Sequence, residues 1–288
     1  MSRTADRFRI ASVQWDMRKP ACLPTFLDRI DFFCTTAAED YAAEIVIFPE
    51  YFTLPLAALT PAPNPITSIH QLAGLTESIN QHLATLAIRH GIWILGGSQP
   101  VIESHRLLNI AFLFGPEGQR HRQEKLHITP WEKSAWQVQG GNNLEVIDLG
   151  KIKIGIQICY DVEFPEPTRH LAHAGMELLL VPYCTDDRRG HLRVTRCAMA
   201  RTIENQIAVA TAGCVGILTN VPAANLHHAE SGIYTPIDIP FPSDGIAATA
   251  TPNTEELLIA EINLTTLRSS RADGTVTPLK DRRHDLFP

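Results

Sequence analysis

The stretch that most constrains the fold is residues 153–166, where a strand pattern ends at a cysteine and a helix pattern follows. Residues 153–158 alternate apolar and other side chains, which is typical of a β-strand. Pro165 then changes the chain direction, and residues 167–175 predict a short helix closed by glycine. A cysteine at such a turn presents its sulfur at the sheet edge, near N–H groups that can hold an oxyanion. Cys159 could equally be a small buried hydrophobic residue, so this stretch alone leaves its role open.

Strand and helix patterns alternate along the rest of the chain. We predict strands at residues 8–15, 44–50, 92–97, 107–114, 120–125, 144–148, 151–158, 177–182, 206–212 and 257–262. We predict helices at residues 24–41, 67–90, 167–175 and 190–205, a helical turn at 264–270, and an irregular segment at 126–132. This alternation predicts a two-layered or sandwiched α/β architecture. We expect one domain over residues 1–288, with residues 271–288 as a C-terminal tail.

Length, charge and cysteine content exclude several classes of protein. The 288 residues, 44% of them hydrophobic, are enough for one large core. A formal net charge of −6 disfavours a dedicated nucleic-acid binder, which needs a basic face. No apolar segment resembles a secretion signal or approaches the roughly 18 to 20 residues of a membrane span. The six cysteines are scattered and form no C-x-x-C motif. We therefore expect a cytoplasmic protein with reduced thiols and no nucleic-acid or membrane partner.

Three reactive side chains stand at the ends of separate predicted strands: Glu50, Lys125 and Cys159. A cysteine attacks an amide or nitrile carbon when a base removes its proton. A carboxylate can take that proton and pass it to the leaving amine. A lysine can neutralise the oxyanion of the tetrahedral intermediate, beside the N–H of Tyr160. If the fold brings these residues together, they form a site for cleavage of a C–N bond.

Four motifs resemble the nitrilase superfamily of carbon–nitrogen hydrolases. Residues 48–50 (FPE), 124–127 (EKLH) and 158–166 (ICYDVEFPE) resemble the Glu, Lys and Cys signatures of that superfamily. Residues 200–206 (ARTIENQ) resemble the helix that follows its nucleophile. The resemblance covers nearly the whole chain, and the motifs occur in the family's order. It implies an α/β fold of the αββα four-layer sandwich type, which usually dimerises through the helical layer that follows the cysteine.

The resemblance also implies a role for each matched residue. It assigns Cys159 as the nucleophile, Glu50 as the general base and Lys125 as the oxyanion stabiliser. Members often carry a second glutamate shortly after the lysine, and Glu132 is the natural match because no other Glu lies between Lys125 and Glu145. No metal or cofactor is implied, and we expect the partners to be a small-molecule amide substrate and further copies of the chain.

Two sequence details refine this expectation. Residues 129–132 (TPWE) are similar to the Thr-Pro-Tyr-Glu branch of the superfamily, some members of which carry an added acetyltransferase-like domain. We expect no such domain here, since the hydrolase fold uses all 288 residues. Residues 159–161 (CYD) differ from the Cys-Trp-Glu of true nitrilases, which favours amide over nitrile hydrolysis.

Residues beside the catalytic positions are candidates for the substrate pocket: Tyr51, Trp131, Tyr160, Tyr183, Cys184 and Thr185. Each of them could instead be a core residue. Arg188, Arg189 and Arg193 could bind a substrate carboxylate or lie at an exposed helix start. In the helix at 190–205, we expect Leu192, Thr195, Met199 and Ile203 to share a face.

Four alternatives to amide hydrolysis remain open at the level of sequence. The same site could hydrolyse a nitrile, or transfer the acyl group to an amine instead of water. A cysteine protease would need a positioned histidine as base, and no histidine motif stands out. The chain could also be a catalytically silent binding or scaffold protein that keeps the fold, in which case Cys159 would be no more reactive than Cys22.

Overall fold

The structure is a computed structural model that describes residues 6–283 and 285–286. The elements of its first half are β1 (Arg7–Asp16), α1 (Leu23–Thr35), β2 (Ile45–Ile47), α2 (Pro65–Ala73), α3 (Thr76–His90), β3 (Trp93–Glu103), β4 (Arg106–Phe114) and β5 (Arg120–Glu124). Those of the second half are α4 (Pro130–Ala135), β6 (Ile147–Asp148), β7 (Lys153–Ile156), α5 (Pro165–His173), β8 (Leu178–Tyr183), α6 (Arg188–Asn205), β9 (Ala208–Ile217), β10 (Leu226–His227), β11 (Gly232–Tyr234), β12 (Ile246–Thr249), β13 (Glu256–Asn263) and α7 (Leu264–Asp273).

The strands form two mixed sheets that meet at one corner. The first sheet has the order β5-β4-β3-β2-β1-β13, and β1, β2 and β3 are parallel within it. The second sheet has the order β6-β7-β8-β9-β11-β12, with β7, β8 and β9 parallel and β10 paired to the end of β9. The two sheets are joined where the last residues of β1 pair with β9, at Trp15–Cys214 and Asp16–Val215.

Alternation along the strands divides the core into two layers. In β1, Phe8 and Ile10 belong to a cluster that contains residues of both sheets, so this cluster fills the space between them. Val13 and Trp15 point the other way, into a cluster with residues of α1, α2 and α3. Helices α5 and α6 cover the outer face of the second sheet. The order of layers is therefore helix, sheet, sheet, helix, which confirms the αββα sandwich.

The prediction of one long helix over residues 67–90 is wrong, because two helices occupy this part of the chain. Helix α2 starts at Pro65, and the side chain of Asn64 caps it by accepting a hydrogen bond from Thr67 N at 2.9 Å. The helix ends at Gly74, and α3 starts at Thr76. Gly91 closes α3 in the left-handed conformation, with a φ of 65°.

The prediction that residues 126–132 are irregular is also partly wrong, because α4 begins at Pro130. Thr129 and Glu132 form a capping box, in which each residue's side chain bonds the backbone N–H of the other. Proline at the first helical position adds to this start signal. The sequence pattern Thr-Pro-x-Glu therefore carried the information that a helix begins here.

The remaining elements follow the predicted order with small differences. The strands β10, β11 and β12 were missed, because they are short and carry no clear alternation. Helix α7 continues to Asp273, into the segment predicted as a tail. No helix in the described part of the chain is long and apolar enough to cross a membrane.

Candidate active site

The structure brings the predicted site residues together at the carboxyl ends of three strands. Glu50 follows β2, Lys125 follows β5, and Cys159 follows β7. Lys125 Nζ lies 2.7 Å from Glu50 Oε1 and 2.7 Å from Glu132 Oε2. The Cys159 thiol lines the same cavity as Glu50 and Lys125, and the charge of Glu50 acts on its pKa. The four residues are at most 6% exposed. They form one buried cluster built from residues far apart in the chain.

Glu50 is fixed by backbone contacts on both sides. The main chain at Glu50 bridges to Ser98 of β3, and Tyr51 N donates to Ser98 O at 2.8 Å. Tyr51 adopts a φ of 53°, a left-handed conformation that is strained for an aromatic residue. Gly97 makes this close approach possible, since a Cβ on it would lie 1.9 Å from Pro49 O. The side chain is held as well, because the backbone N–H of Cys184 donates a hydrogen bond to Glu50 Oε2 at 3.0 Å.

Glu132 owes its position to the start of α4. Its Oε2 accepts hydrogen bonds from Thr129 N at 3.1 Å and from Thr129 Oγ1 at 2.8 Å, as part of the capping box. Its Oε1 accepts from the Tyr51 hydroxyl at 3.2 Å. The carboxylate therefore caps a helix and faces Lys125 at the same time. This geometry fits a residue that positions the lysine.

Cys159 begins a tight 3₁₀ turn that links β7 to α5. Its φ of 50° lies in the left-handed region, which a cysteine rarely adopts. The sulfur points toward the cavity and lies 3.9 Å from Cys184 O. Strain of this kind persists only where the surroundings hold the backbone in place, and it is common at functional sites.

Asp161 is the group that holds the backbone on both sides of the site. Its buried carboxylate accepts hydrogen bonds from Leu126 N at 3.1 Å and His127 N at 2.7 Å, directly after Lys125. It also accepts from Ile158 N at 3.3 Å, directly before Cys159. One side chain thus fastens the lysine segment to the cysteine turn. Sequence reasoning quoted Asp161 as part of a motif but did not assign it this role.

The charges of the cluster are set by burial and by the lysine. Burial raises the pKa of Glu50 above its usual value, with Lys125 opposing this shift and Glu132 adding to it. Burial also acts to raise the pKa of Glu132, but Lys125 and the bonds from Thr129 outweigh it and lower that pKa. Burial favours neutral Lys125, yet the two carboxylates hold its pKa well above the usual value. The cluster therefore contains a charged lysine, an ionised Glu132, and a Glu50 able to gain a proton.

The thiol and the phenol of the site remain protonated. Burial and the charge of Glu50 raise the pKa of Cys159 well above its usual value, although Lys125 acts against them. Burial and the neighbouring carboxylates raise the pKa of Tyr51 in the same way. Cys159 therefore rests as a neutral thiol beside a carboxylate, and its attack on a substrate requires transfer of that proton.

Lys125 can offer a further hydrogen bond to a bound molecule. An ammonium group has three N–H donors, and the two carboxylates use two of them. The third donor is available to an oxygen in the cavity, which Lys125, Cys159 and Glu50 all line. This is the arrangement that an oxyanion needs beside the carbon under attack.

Asn109 is a member of the cluster that sequence reasoning missed. It lies in the middle of β4, and its Nδ2 donates to Glu50 Oε1 at 2.9 Å and to Glu132 Oε1 at 3.3 Å. A signal was present, because Asn109 is a polar residue within the apolar run at residues 107–114. A buried polar side chain in a strand usually has a specific partner.

The cluster opens into a cavity of about 840 Å³. Five of the six residues predicted for the pocket line this cavity: Tyr51, Trp131, Tyr160, Cys184 and Thr185. The sixth prediction is wrong, because Tyr183 is fully buried in the core below it. The last residue of β8 points into the sheet interior, where the Tyr183 hydroxyl meets His191 Nδ1 at 3.3 Å. Alternation along the strand places Cys184 on the cavity side instead.

The three arginines considered for carboxylate binding have different positions. Arg193 lines the cavity, and its Nε lies 3.3 Å from Glu163 Oε1. Arg188 and Arg189 do not line the cavity. The side chain of Arg189 is 89% exposed and pairs with Asp187 at the start of α6, which fits an exposed helix start.

Other parts of the surface hold none of the predicted site residues. A second depression, of about 570 Å³, lies between α2, α3 and the β3–β5 strands, and two ion pairs on its walls join Arg120 to Glu77 and Arg122 to Glu103. Within residues 6–283 and 285–286, no group of three His, Cys, Asp or Glu side chains is placed to hold a metal ion.

Known proteins with a similar sequence include a probable hydrolase from a bacterium and an omega-amidase from an amphibian. The "Probable hydrolase YhcX" of Bacillus subtilis is 37% identical over 285 residues, which cover 99% of this chain and 55% of the relative. This chain thus spans about half the length of that protein. The omega-amidase NIT2-A of Xenopus laevis is 27% identical over 293 residues, which cover 98% of this chain and 97% of the relative.

The fold and a family profile agree with these relatives. A double mutant of the amidase from Nesterenkonia sp. AN1, solved in complex with acrylamide, has the same fold, with a TM-score of 0.75 and 24% identity. The match covers 99% of this chain and 97% of that one. The profile of the family named carbon-nitrogen hydrolase matches residues 9–272. The chain therefore belongs to the carbon–nitrogen hydrolase family, as its Glu, Lys and Cys signatures led us to expect.

Proposed function

We propose that this protein is a thiol-dependent amidohydrolase, which cleaves a non-peptide C–N bond of a small-molecule amide through a thioester on Cys159. The observation that carries the proposal is the buried cluster in which Lys125 Nζ lies 2.7 Å from both carboxylates, in the cavity that the Cys159 thiol also lines. The amidase names of the relatives support the choice of an amide as the substrate.

In the first half of the reaction, Glu50 is the base and then the acid. Its carboxylate takes the thiol proton as the sulfur of Cys159 bonds to the amide carbon, and the carbonyl electrons move to oxygen. Lys125 and the N–H of Tyr160 stabilise that oxyanion. The intermediate then collapses, the C–N bond breaks, and the proton on Glu50 passes to the departing nitrogen, which leaves as ammonia or an amine.

In the second half, water replaces the amine. Glu50 takes a proton from water as its oxygen bonds to the thioester carbon, and Lys125 again meets the oxyanion. The C–S bond breaks, the thiolate regains the proton from Glu50, and the acid is released. Glu132 and Asn109 act by holding Lys125 and Glu50 in place.

The structure bears on the alternatives in different ways. The charge that acts most strongly on the Cys159 thiol is the Glu50 carboxylate, which supports a hydrolase of this family over a cysteine protease with a histidine base. The strained turn at Cys159 and the buried charges support a working enzyme over a silent scaffold, since both cost stability. Nitrile hydrolysis and acyl transfer would use the same groups, so substrate tests must separate them.

The test of this function is ammonia release from a panel of amides, nitriles and N-carbamoyl compounds. Ammonia release from amides, with the free acid as co-product, is the expected result. Release from nitriles alone, or amide turnover that requires an added amine acceptor, would move the assignment to the corresponding alternative. Turnover of none of these compounds, together with a Cys159 that alkylates no faster than Cys22, would contradict the proposal.

The activity should depend on pH through Glu50. The reaction needs this carboxyl ionised, and burial raises its pKa above the usual 4.5. We expect kcat/KM to fall with decreasing pH around a midpoint above 4.5, as Glu50 gains a proton. Enzyme held at each pH and assayed at neutral pH controls for unfolding.

A matched variant tests whether Glu50 is the group whose protonation lowers kcat/KM at acid pH. The charge of Glu132 raises the pKa of Glu50, so Glu132→Gln should move the midpoint to lower pH whatever happens to kcat. If the midpoint of the fall in kcat/KM of the unmodified enzyme lay at or below pH 4.5, Glu50 would not be the group that titrates.

We also propose that the chain forms a single domain and that it assembles as a homodimer through the α5–α6 layer. The continuous strand pairing from β5 to β6 supports the single domain. On α6, Leu192 and Met199 are only partly buried and Ile203 is 42% exposed, which supports a covered apolar face. The six free cysteines support a cytoplasmic location.

The dimer can be tested with charged substitutions on two helical layers. Ile203→Glu should shift the protein from dimer to monomer in sedimentation velocity, since a carboxylate would be buried in the interface. Ile88→Glu is the control, because Ile88 is 56% exposed on α3 in the opposite layer. A monomeric unmodified protein, or equal effects of both substitutions, would contradict this interface.

A further inference from the structure

The cavity has two chemically different ends. Its inner end holds the charged cluster, where Glu50 is 2% exposed and Lys125 is 1% exposed. The apolar residues of its lining come from four separate segments, and we call them the outer wall: Leu54, Trp131, Trp136, Val194, Ala223, Ala224 and Leu226. At about 840 Å³, the cavity is far larger than a two-carbon amide requires and lies within the usual range for drug-sized ligands.

Two large apolar side chains of this outer wall face water. Trp131 is 45% exposed and packs edge-on against the buried Trp136, with ring centroids 4.6 Å apart. Leu226 on β10 is 57% exposed. Both line the cavity, so a ligand that reaches the candidate nucleophile can cover them. Covering such surface is favourable by about 25 cal/mol per Å² of apolar area.

The charges near the mouth do not favour a substrate carboxylate. Arg193 also lines the cavity and could meet a carboxylate, but it already pairs with Glu163. Asp186 lines the same part of the cavity and is exposed. A carboxylate on the substrate would therefore meet two acidic side chains beside one paired arginine, and like charges at short range repel.

The burial of Glu50 limits which part of the substrate can be large. In the proposed reaction, Glu50 passes a proton to the departing nitrogen and must lie beside it. Lys125, Asn109 and the backbone of Cys184 surround its carboxylate, which leaves little room for a bulky amine. The leaving group is therefore small, and the acyl group extends from Cys159 toward the outer wall.

From this geometry we propose that the substrates are primary amides of apolar acids, with an acyl chain or aryl-alkyl group of about five carbons or more packed against Trp131 and Leu226. This inference rests on the proposed amidohydrolase function and names its substrate class. It sets these amides apart from short amides and from the monoamides of dicarboxylic acids.

The test is kcat/KM for ammonia release from acetamide, butanamide, hexanamide and 3-phenylpropanamide, with glutaric acid monoamide as the charged comparison. Each methylene taken out of water favours binding by about fourfold when fully buried. Because the wall is partly exposed, we expect a gain of at least about tenfold from acetamide to hexanamide. Hexanamide should exceed glutaric acid monoamide by a similar factor.

A pair of matched variants assigns the effect to this wall. Leu226 pairs with Ile217 across β10 and β9, and Ile217 is 66% exposed but does not line the cavity. Leu226→Asn should reduce the hexanamide-to-acetamide ratio at least about threefold, whereas Ile217→Asn should leave it unchanged. Trp131→Ala should also lower the ratio, and Trp131→Phe should restore part of it.

Each outcome decides between the inference and the function on which it rests. A flat series, or a preference for glutaric acid monoamide, overturns the substrate class while leaving the amidohydrolase proposal intact. Equal effects of the Leu226 and Ile217 variants overturn the assigned wall. Hydrolysis of no amide in the series, with Cys159 unreactive to an alkylating agent, overturns both proposals together.

Discussion

Cys159→Ala should abolish amide hydrolysis, with a loss of at least about 10⁴-fold in kcat. The variant removes the sulfur that forms the thioester, on which both halves of the proposed reaction depend. The fold should persist, since Ala at this position keeps the strained backbone with a smaller side chain. The measurement is ammonia release from the best amide of the panel, together with a circular dichroism spectrum of the variant.

Two other cysteines provide controls for this substitution. Cys34 is fully buried in α1, so Cys34→Ala removes an equally buried sulfur far from the cavity. Cys22 is exposed and tests the effect of losing an accessible thiol. Both variants should retain full activity at assay temperature. Turnover that survived in Cys159→Ala would rule out the thioester mechanism, and a comparable loss in Cys34→Ala would show that packing explains the result.

Lys125→Met should lose at least about 10²-fold in kcat, the scale seen when one oxyanion donor is removed. Methionine keeps most of the side-chain length but has no charge and no N–H group. Lys125 is 1% exposed between two carboxylates, so the loss of its charge should also destabilise the fold. Breaking a buried ion pair on one side costs about 3 to 5 kcal/mol, although protonation of a carboxyl would reduce this cost.

The two effects of Lys125→Met can be separated. Lys133 lies on α4 close in sequence to Glu132, but it is exposed, so Lys133→Met should change neither kcat nor the melting temperature. An interaction made only in the transition state lowers kcat and kcat/KM equally, while lost substrate binding raises KM alone. A Lys125→Met protein that is less stable but has an unchanged kcat would assign the lysine to structure and not to catalysis.

Sequence patterns predicted the local structure well where periodicity is strong. The strands that carry Glu50, Lys125 and Cys159 were predicted in order, and each residue was placed at a strand end. The predictions failed where short-range signals compete. Residues 67–90 look like one continuous helix, but Gly74 ends α2 within that range. The capping box of Thr129 and Glu132 was not recognised, and α4 was therefore missed.

The site itself could be predicted only in part. The motif resemblance pointed to Glu50, Lys125, Cys159 and Glu132, which the structure places in one cluster. Their roles remain proposals until the variants are measured. Asn109 and Asp161 were not assigned to the site, because their partners lie tens of residues away in sequence. Tyr183 was placed in the pocket wrongly, since a position next to Cys184 does not reveal which side of the sheet a residue faces.

The sequence by itself predicted most of the elements in order, and the resemblance of its motifs to the carbon–nitrogen hydrolases implied the αββα class and the candidate reactive residues. These depend on periodicity and short motifs, which are local properties of the chain. The tertiary structure decided the contacts, because Lys125 and Glu50 are 75 residues apart and meet only when the sheets are assembled. It also decided the directions of the pKa shifts, the apolar outer wall and the pairing of Arg193. Burial and electrostatic fields are sums over many distant groups, so no local pattern can contain them.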